Sequence, residues 1–291
     1  MIYCPVFRMI GVQKKDFWWD LMKKFVCIVL ALCLCLSCCA CGSGGYGVKT
    51  VLTLVEQEYS LAFRNDDGIY FYVTAAIEQL CAEGAVGELA GKWFGSNIVN
   101  FKKTEGALDK LGLPEARNFI IGVDINSFPV AYMSEGNYWG FDVELAQAVC
   151  DKLGWTLQIQ PIEKENVYIE LYSGNIDCAW GGIALDEEEL AAGRYTQYGP
   201  YMKNDIVVAS REGSSVWNSL RLSGRNMAMP TTEEAMAALN TNEKLANRLG
   251  QITRLAGGTT ECFSYLYAGK CDAVLTDTSA LYYYNSPERL P

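Results

Sequence analysis

Between residues 118 and 160 the apolar positions switch period twice. Phe119, Ile120, Ile121 and Val123 form a short apolar run, as expected of a strand buried on both faces of a parallel sheet. After Gly140, Val143, Ala146, Cys150 and Leu153 recur at helical spacing and stop near Gly154, which predicts a helix closed by a glycine. Trp155, Leu157 and Ile159 then alternate with Thr156, Gln158 and Gln160, a strand pattern. Strand, helix, strand in this order implies a parallel sheet with ligand contacts at the carboxyl ends of its strands.

Two segments repeat one local design. Leu171-Tyr-Ser-Gly-Asn-Ile-Asp177-Cys-Ala-Trp180 matches Leu266-Tyr-Ala-Gly-Lys-Cys-Asp272-Ala-Val-Leu275. Each reads as a helix end, a glycine at its cap, and a buried strand starting beside an aspartate. One copy per lobe predicts two similar α/β lobes. In the second, Met227-Ala-Met229 reads as a strand, Thr231 to Glu234 as a capping box, and Gly257-Gly258-Thr259-Thr260 as the start of the helix leading into the second copy.

The N-terminal apolar run from Phe25 to Leu36 is too short to span a bilayer. It follows Lys23 and Lys24 and runs into Ser37-Cys-Cys-Ala-Cys41 and a Gly/Ser stretch, which reads as an export signal over residues 1–40 with a cleavage zone. Trp18, Trp19, Asp16 and Asp20 do not suit such a signal and place the true start at Met22.

Charge removes whole classes of function. The chain has 24 basic and 34 acidic residues; without residues 1–40 it has 19 against 32, net −13, the wrong field for nucleic acid. It has no histidine, so Ser-His-Asp, Cys-His and His-zinc chemistry are all excluded. Outside the leader, Cys81, Cys150, Cys178, Cys262 and Cys271 form no CxxC pair and read as small buried hydrophobes, with a Cys262–Cys271 bridge as the alternative.

An ordered series of motifs resembles the type II periplasmic solute-binding proteins of polar amino-acid ABC importers, family 3. The motifs are Gly122-Val-Asp124, Ser127-Phe-Pro129, Gly140-Phe-Asp-Val-Glu-Leu-Ala146, Gly174-Asn-Ile-Asp177, Gly199-Pro-Tyr-Met and Cys271-Asp-Ala-Val-Leu-Thr-Asp277. The resemblance implies an α/β, two-lobed fold with hinge-linked parallel and mixed sheets. Glu56 to Asp67 and Gly91-Lys-Trp-Phe-Gly95 look like the segment that normally ends this family, so the order resembles a circular permutation. A truncated tandem duplication is the competing reading. Lobe 1 is then expected over 58–208 (58–95 plus 118–208, with 96–117 connecting them), and lobe 2 over 209–291 with strand 50–57.

The resemblance further implies a monomeric, non-enzymatic receptor that carries a small solute, an amino acid or related amine, to a membrane permease. It calls for no cofactor and no metal. Cys41 resembles the acylated cysteine of a lipoprotein, with Cys39 as the alternative, which would anchor the chain through a tether at 41–49 to the outer face of the cytoplasmic membrane. Asp277 matches the carboxylate that receives the ligand's ammonium, with a helix cap as the alternative. Thr231 and Thr232 match the region that holds the α-carboxylate. Asp124, Ser127, Phe128 and Tyr132, with Trp180, Gly181 and Gly182, match the first lobe's ligand face, where aromatics stack on the solute. One position departs from the pattern: Glu189 stands where an arginine is usual, with Arg194 the nearest arginine, which favours a cationic solute or a carboxylate held by backbone amides. A cleft enzyme, like the dehydratases on related folds that act on small carboxylates, and an extracellular sensor module are the alternatives.

Overall fold

The computed structural model describes residues 47–287 apart from Asp66 and Leu113. The leader, Met22 and the two candidate acylation cysteines lie outside the described residues. Strand β1 (Val48–Val55) leads directly into β2 (Glu58–Phe63), followed by helices α1 (Ile69–Ala82) and α2 (Ala85–Phe94). After a connecting stretch come β3 (Asn118–Val123), a small three-stranded sheet of β4 (Asn126–Ser127), β5 (Ala131–Ser134) and β6 (Asn137–Trp139), helix α3 (Phe141–Leu153) and β7 (Thr156–Pro161). Helix α4 (Val167–Ser173), β8 (Cys178–Ala179), α5 (Glu187–Ala191) and β9 (Thr196–Lys203) complete the first lobe. The second lobe is built from β10 (Ile206–Arg211), β11 (Asn226–Pro230), α6 (Glu233–Asn240), α7 (Glu243–Ala246), β12 (Gln251–Leu255), α8 (Gly258–Tyr267), β13 (Ala273–Asp277) and α9 (Thr278–Asn285).

The two main sheets have one plan. In the first, order β7-β3-β8-β2-β9, β3 is parallel to β7 and β8, whereas β2 is antiparallel to β8 and β9. In the second, order β12-β11-β13-β10-β1, β11 is parallel to β12 and β13, whereas β10 is antiparallel to β13 and β1. In each sheet four strands therefore run one way and one, β2 or β10, runs against them, and the reversed strand of each sheet adjoins a crossing. The chain passes between lobes at Glu56–Gln57 and at Asn204–Asp205. The Asn204 N–H donates to the Gln57 carbonyl at 2.9 Å and the Gln57 N–H to Asp205 Oδ1 at 3.3 Å, so the crossings form one ribbon.

This corrects the expected lobe boundaries. The expected first lobe ran to residue 208, but β10 belongs to the second sheet, and the boundary falls at Asn204–Asp205. Residues 48 and 49, assigned to a tether, already form the start of β1. The physical reason is pairing: Val48 to Val55 hydrogen-bonds along β10 from Arg211 to Ile206.

Periodicity explains the first-lobe core. Helix α3 buries Val143, Ala146, Val149, Cys150 and Leu153 on one face, and Gly154 closes it in the left-handed region, its N–H donating to the Cys150 carbonyl. Phe119, Ile121 and Val123 of β3, Phe63 of β2 and Trp93 and Phe94 of α2 belong to the same cluster. The connecting stretch lies on this lobe. Its Phe101 stacks on Tyr201 with centroids 4.8 Å apart and is buried, which contributes about 2 kcal/mol towards holding the connection in place. All five cysteines of the body are buried and free, so Cys262 and Cys271 are not bridged.

Candidate functional site

A cleft of about 570 Å³ opens between the lobes where the parallel strands of both sheets end. After β3 comes Asp124, after β7 the turn Glu163-Lys164-Glu165-Asn166, around the end of β11 Pro230 and the first turn of α6, and at the end of β13 Thr276 and Asp277. Strand carboxyl ends are where open α/β sheets present ligand contacts.

Asp277 pairs in register with Ile206 of β10 and occupies the cap position of α9, yet its carboxylate makes no cap hydrogen bond. Asn204 caps the helix in its place, with Oδ1 accepting from the Ser279 N–H at 2.8 Å and from the Thr278 hydroxyl at 3.3 Å. The Asp277 carboxylate is thereby left to the cleft. Burial pushes its pKa well above the carboxylate range, and the neighbouring Glu234 and Asp124 push it further. Burial also raises Asp124, whose Oδ1 accepts from the Asn126 N–H at 2.9 Å.

The charge balance of the walls is one-sided. Asp124, Glu163, Glu165, Glu233, Glu234 and Asp277 face the cleft, and among the described residues Lys164 is the only cation lining it. Lys164, in the first lobe, donates to Glu234 Oε1 of the second at 2.7 Å. Behind Asp277, the fully buried Tyr59 of β2 turns its hydroxyl towards Ser127 and Asn204; burial, then Asp277 and Glu234, raise its phenol far above the usual range. Among the described residues no group of three Cys, Asp or Glu side chains is placed to hold a metal ion.

Of the ten expected ligand-face residues, the cleft brings together Asp124, Thr232 and Asp277. Thr231 is exposed, and the cap of α6 is Thr232, whose Oγ1 accepts from the Ala235 N–H at 3.3 Å, so the capping box expected at Thr231 is displaced by one residue. Ser127 is buried behind the wall, donating to the Gly182 carbonyl at 3.0 Å. The aromatic wall is not at the cleft. Trp180 is fully buried in the first-lobe core, and Phe128 packs in a second-lobe cluster 4.7 Å from Tyr283 and 4.9 Å from Tyr132, which also meets Trp93. Rings this size gain more from burial than from facing an aqueous charged cleft.

Gly181 and Gly182 serve the wall from behind. The Gly181 carbonyl accepts from the Asp124 N–H at 2.9 Å, and the Gly182 N–H donates to Asp142 Oδ2 at 3.1 Å. Gly182 has φ +68°, and a Cβ there would sit 2.2 Å from that of Ser127, so no side chain fits without moving the loop that carries Asp124. Asp142 is fully buried and also accepts from the Tyr201 hydroxyl; burial raises its carboxyl to about 7.

Glu189 does not reach the cleft. It pairs with Arg194 Nε at 2.7 Å on the surface of the first lobe, so the departure and its nearest arginine neutralise each other. The sequence reading missed Glu163, Lys164, Glu165, Glu233 and Glu234 as cleft residues. The available signal was position, since each follows a predicted parallel strand.

Residues 119–255 match the model of the bacterial extracellular solute-binding proteins, family 3. Among curated proteins, the chain is 28% identical over 108 residues to the probable amino-acid-binding protein YxeM of Bacillus subtilis, covering 37% of this chain and 40% of that one. It is 26% identical to cyclohexadienyl dehydratase of Pseudomonas aeruginosa, covering 51% and 55%, and 23% identical to the arginine-binding extracellular protein ArtP of B. subtilis, covering 39% and 44%. The matches thus span 40–55% of these relatives' own lengths. A solved substrate-binding protein of an ABC uptake transporter from Streptococcus pneumoniae, with bound histidine, is 26% identical with a TM-score of 0.45, covering 59% of this chain and 70% of that one. Over residues 119–255, running from β3 to β12, the chain is thus similar to the bacterial extracellular solute-binding proteins, family 3.

Proposed function

We propose that the protein captures a small cationic solute, a basic amino acid or amine, between its lobes and delivers it to an ABC permease from a lipid-anchored position outside the cytoplasmic membrane. The observation that carries this reading is the set of six carboxylates that line the cleft from both lobes against one lysine. Burial and the nearby charge of Glu234 raise the proton affinity of Asp124 and Asp277, which have no cation of their own, and an ammonium entering the cleft supplies one. Closure lowers the local dielectric and strengthens that attraction. An enzyme acting on small carboxylates would need a cation for its substrate, and Lys164 is already paired.

A circularly permuted order belongs to this proposal. Asn285, at the end of α9, accepts from the Val48 N–H and donates to the Val48 carbonyl, each at 2.8 Å. The last helix thus ends beside the first strand, the adjacency a permuted chain requires.

Thermal shift tests the cationic reading. At saturating concentration, arginine, lysine or a diamine raises the melting temperature by about 5–10 °C, since ligand at a hundred times its Kd contributes about 2.7 kcal/mol. Asp277→Asn abolishes that shift. Stabilisation by glutamate with no response to any cation rejects the proposal.

A further inference from the structure

We propose that the preferred ligand carries two cationic groups and no carboxylate, an aliphatic diamine or guanidino-amine, in preference to the amino acid of the same side chain. The inference rests on the cleft being the solute site. An α-carboxylate needs a positive partner, and the cleft offers no cation that is not already paired. No arginine lines it among the described residues. Lys164 is held by Glu234 at 2.7 Å, and releasing it to a ligand carboxylate would leave Glu234 beside Asp277 with no counter-charge.

The helix N-termini already carry acceptors or negative charge. At α6 the Thr232 hydroxyl accepts from the Ala235 N–H, and Glu233 and Glu234 bring two negative charges to the first turn. At α8 the Glu261 carboxylate accepts from the Gly257 N–H at 2.9 Å. At α9 the Asn204 side chain and the Asp205 carbonyl take the Ser279 and Thr278 N–H groups. Helix ends attract anions through free N–H groups and the dipole; at α6 and α9 acceptors already take part of those groups, and the carboxylates of Glu233, Glu234 and Glu261 in the first turns of α6 and α8 oppose a second anion.

The carboxylates fall into two tiers, which suits a ligand with two heads. Asp124 and Asp277 are half-buried at the base of the cleft, whereas Glu163, Glu165 and Glu233 are exposed at its rim. Beside Asp277, the Thr276 hydroxyl lines the cleft, is 2% exposed and has no hydrogen-bond partner. A buried hydroxyl left unpaired costs about 1–3 kcal/mol, and an ammonium seated on Asp277 is the donor it lacks.

Calorimetric titration of the protein, unfolded and refolded to remove co-purified solute, with matched pairs provides the test: agmatine against arginine, cadaverine against lysine, putrescine against ornithine. The member without the carboxylate binds at least ten-fold tighter in each pair that binds. Equal or tighter binding of the amino acid overturns this inference and leaves the cationic reading standing. Silence towards all six overturns both. Lys164→Gln preserves the order within each pair; a variant that loses the amino acid alone would assign the carboxylate to Lys164 and overturn the inference.

Discussion

The two copies of the helix–glycine–strand unit start alike and end differently. In each, an aspartate clamps the start of the neighbouring parallel strand. Asp177 accepts from the Ile120 N–H of β3 at 2.8 Å, and Asp272 from the Asn226 N–H of β11 at 3.0 Å. Each also pairs with the arginine just before that strand, Arg117 at 2.9 Å and Arg225 at 3.5 Å. The first copy adds Arg64 of the segment after β2 at 3.3 Å and leaves the Asp177 side chain 8% exposed, against 35% for Asp272. The strands that follow then part company. β8 is two residues long and leads into the buried Trp180, whereas β13 runs five residues and delivers Thr276 and Asp277 to the cleft. A shared local sequence fixes where each strand begins, and the length of the strand decides whether its end serves packing or binding.

Substitution at the two clamps separates them most sharply. Asp177→Ala removes the shared partner of two arginines and should cost about 3–5 kcal/mol in denaturant unfolding. Asp272→Ala, at a more exposed and longer pair, should cost about 1 kcal/mol. Equal losses would erase the distinction between a buried and a surface clamp.

Next in size is a pH effect from the first lobe. The Asp142 carboxyl titrates near 7 in the folded protein and near the ordinary 3.9 unfolded, so the folded state binds the extra proton between those values. This group's contribution to stability therefore falls as pH rises from about 4 to 7, at up to about 1.4 kcal/mol per pH unit, and levels off above. Asp142→Asn removes that slope from melting curves recorded across pH 5 to 8. Asp277 is raised too, but a bound cation cancels its share and leaves that of Asp142, so titration with and without ligand tells the lobes apart. The smallest effect is expected at the cross-lobe pair. Lys164→Gln should change unfolding free energy by about 0.5 kcal/mol, because both side chains remain partly exposed.

The supporting frame was more legible than the cleft. Phe119 to Val123, the helix from Gly140 and the alternation after Trp155 all appear as read, because period alone decides them. The lobe crossing was misplaced because apolar residues flank it on both sides, Tyr201-Met202 and Ile206 to Ala209, and only Lys203-Asn204-Asp205 marks where the chain changes sheets. Trp180 and Phe128 could not be sorted into wall or core from type, since large rings suit both environments. Glu163 and Glu165 lie in an exposed turn after β7, and only the neighbouring lobe gives them a cleft to line.

The crossing ribbon at Gln57 and Asn204 also limits how the protein can move. Two adjacent extended segments, bonded to each other, resist shear and splaying but flex across their narrow dimension, so the lobes retain one soft rotational degree of freedom. Dyes placed at the exposed Phe71 of the first lobe and Trp217 of the second would then report opening and closing as a single relaxation, because the ribbon acts as one torsional spring.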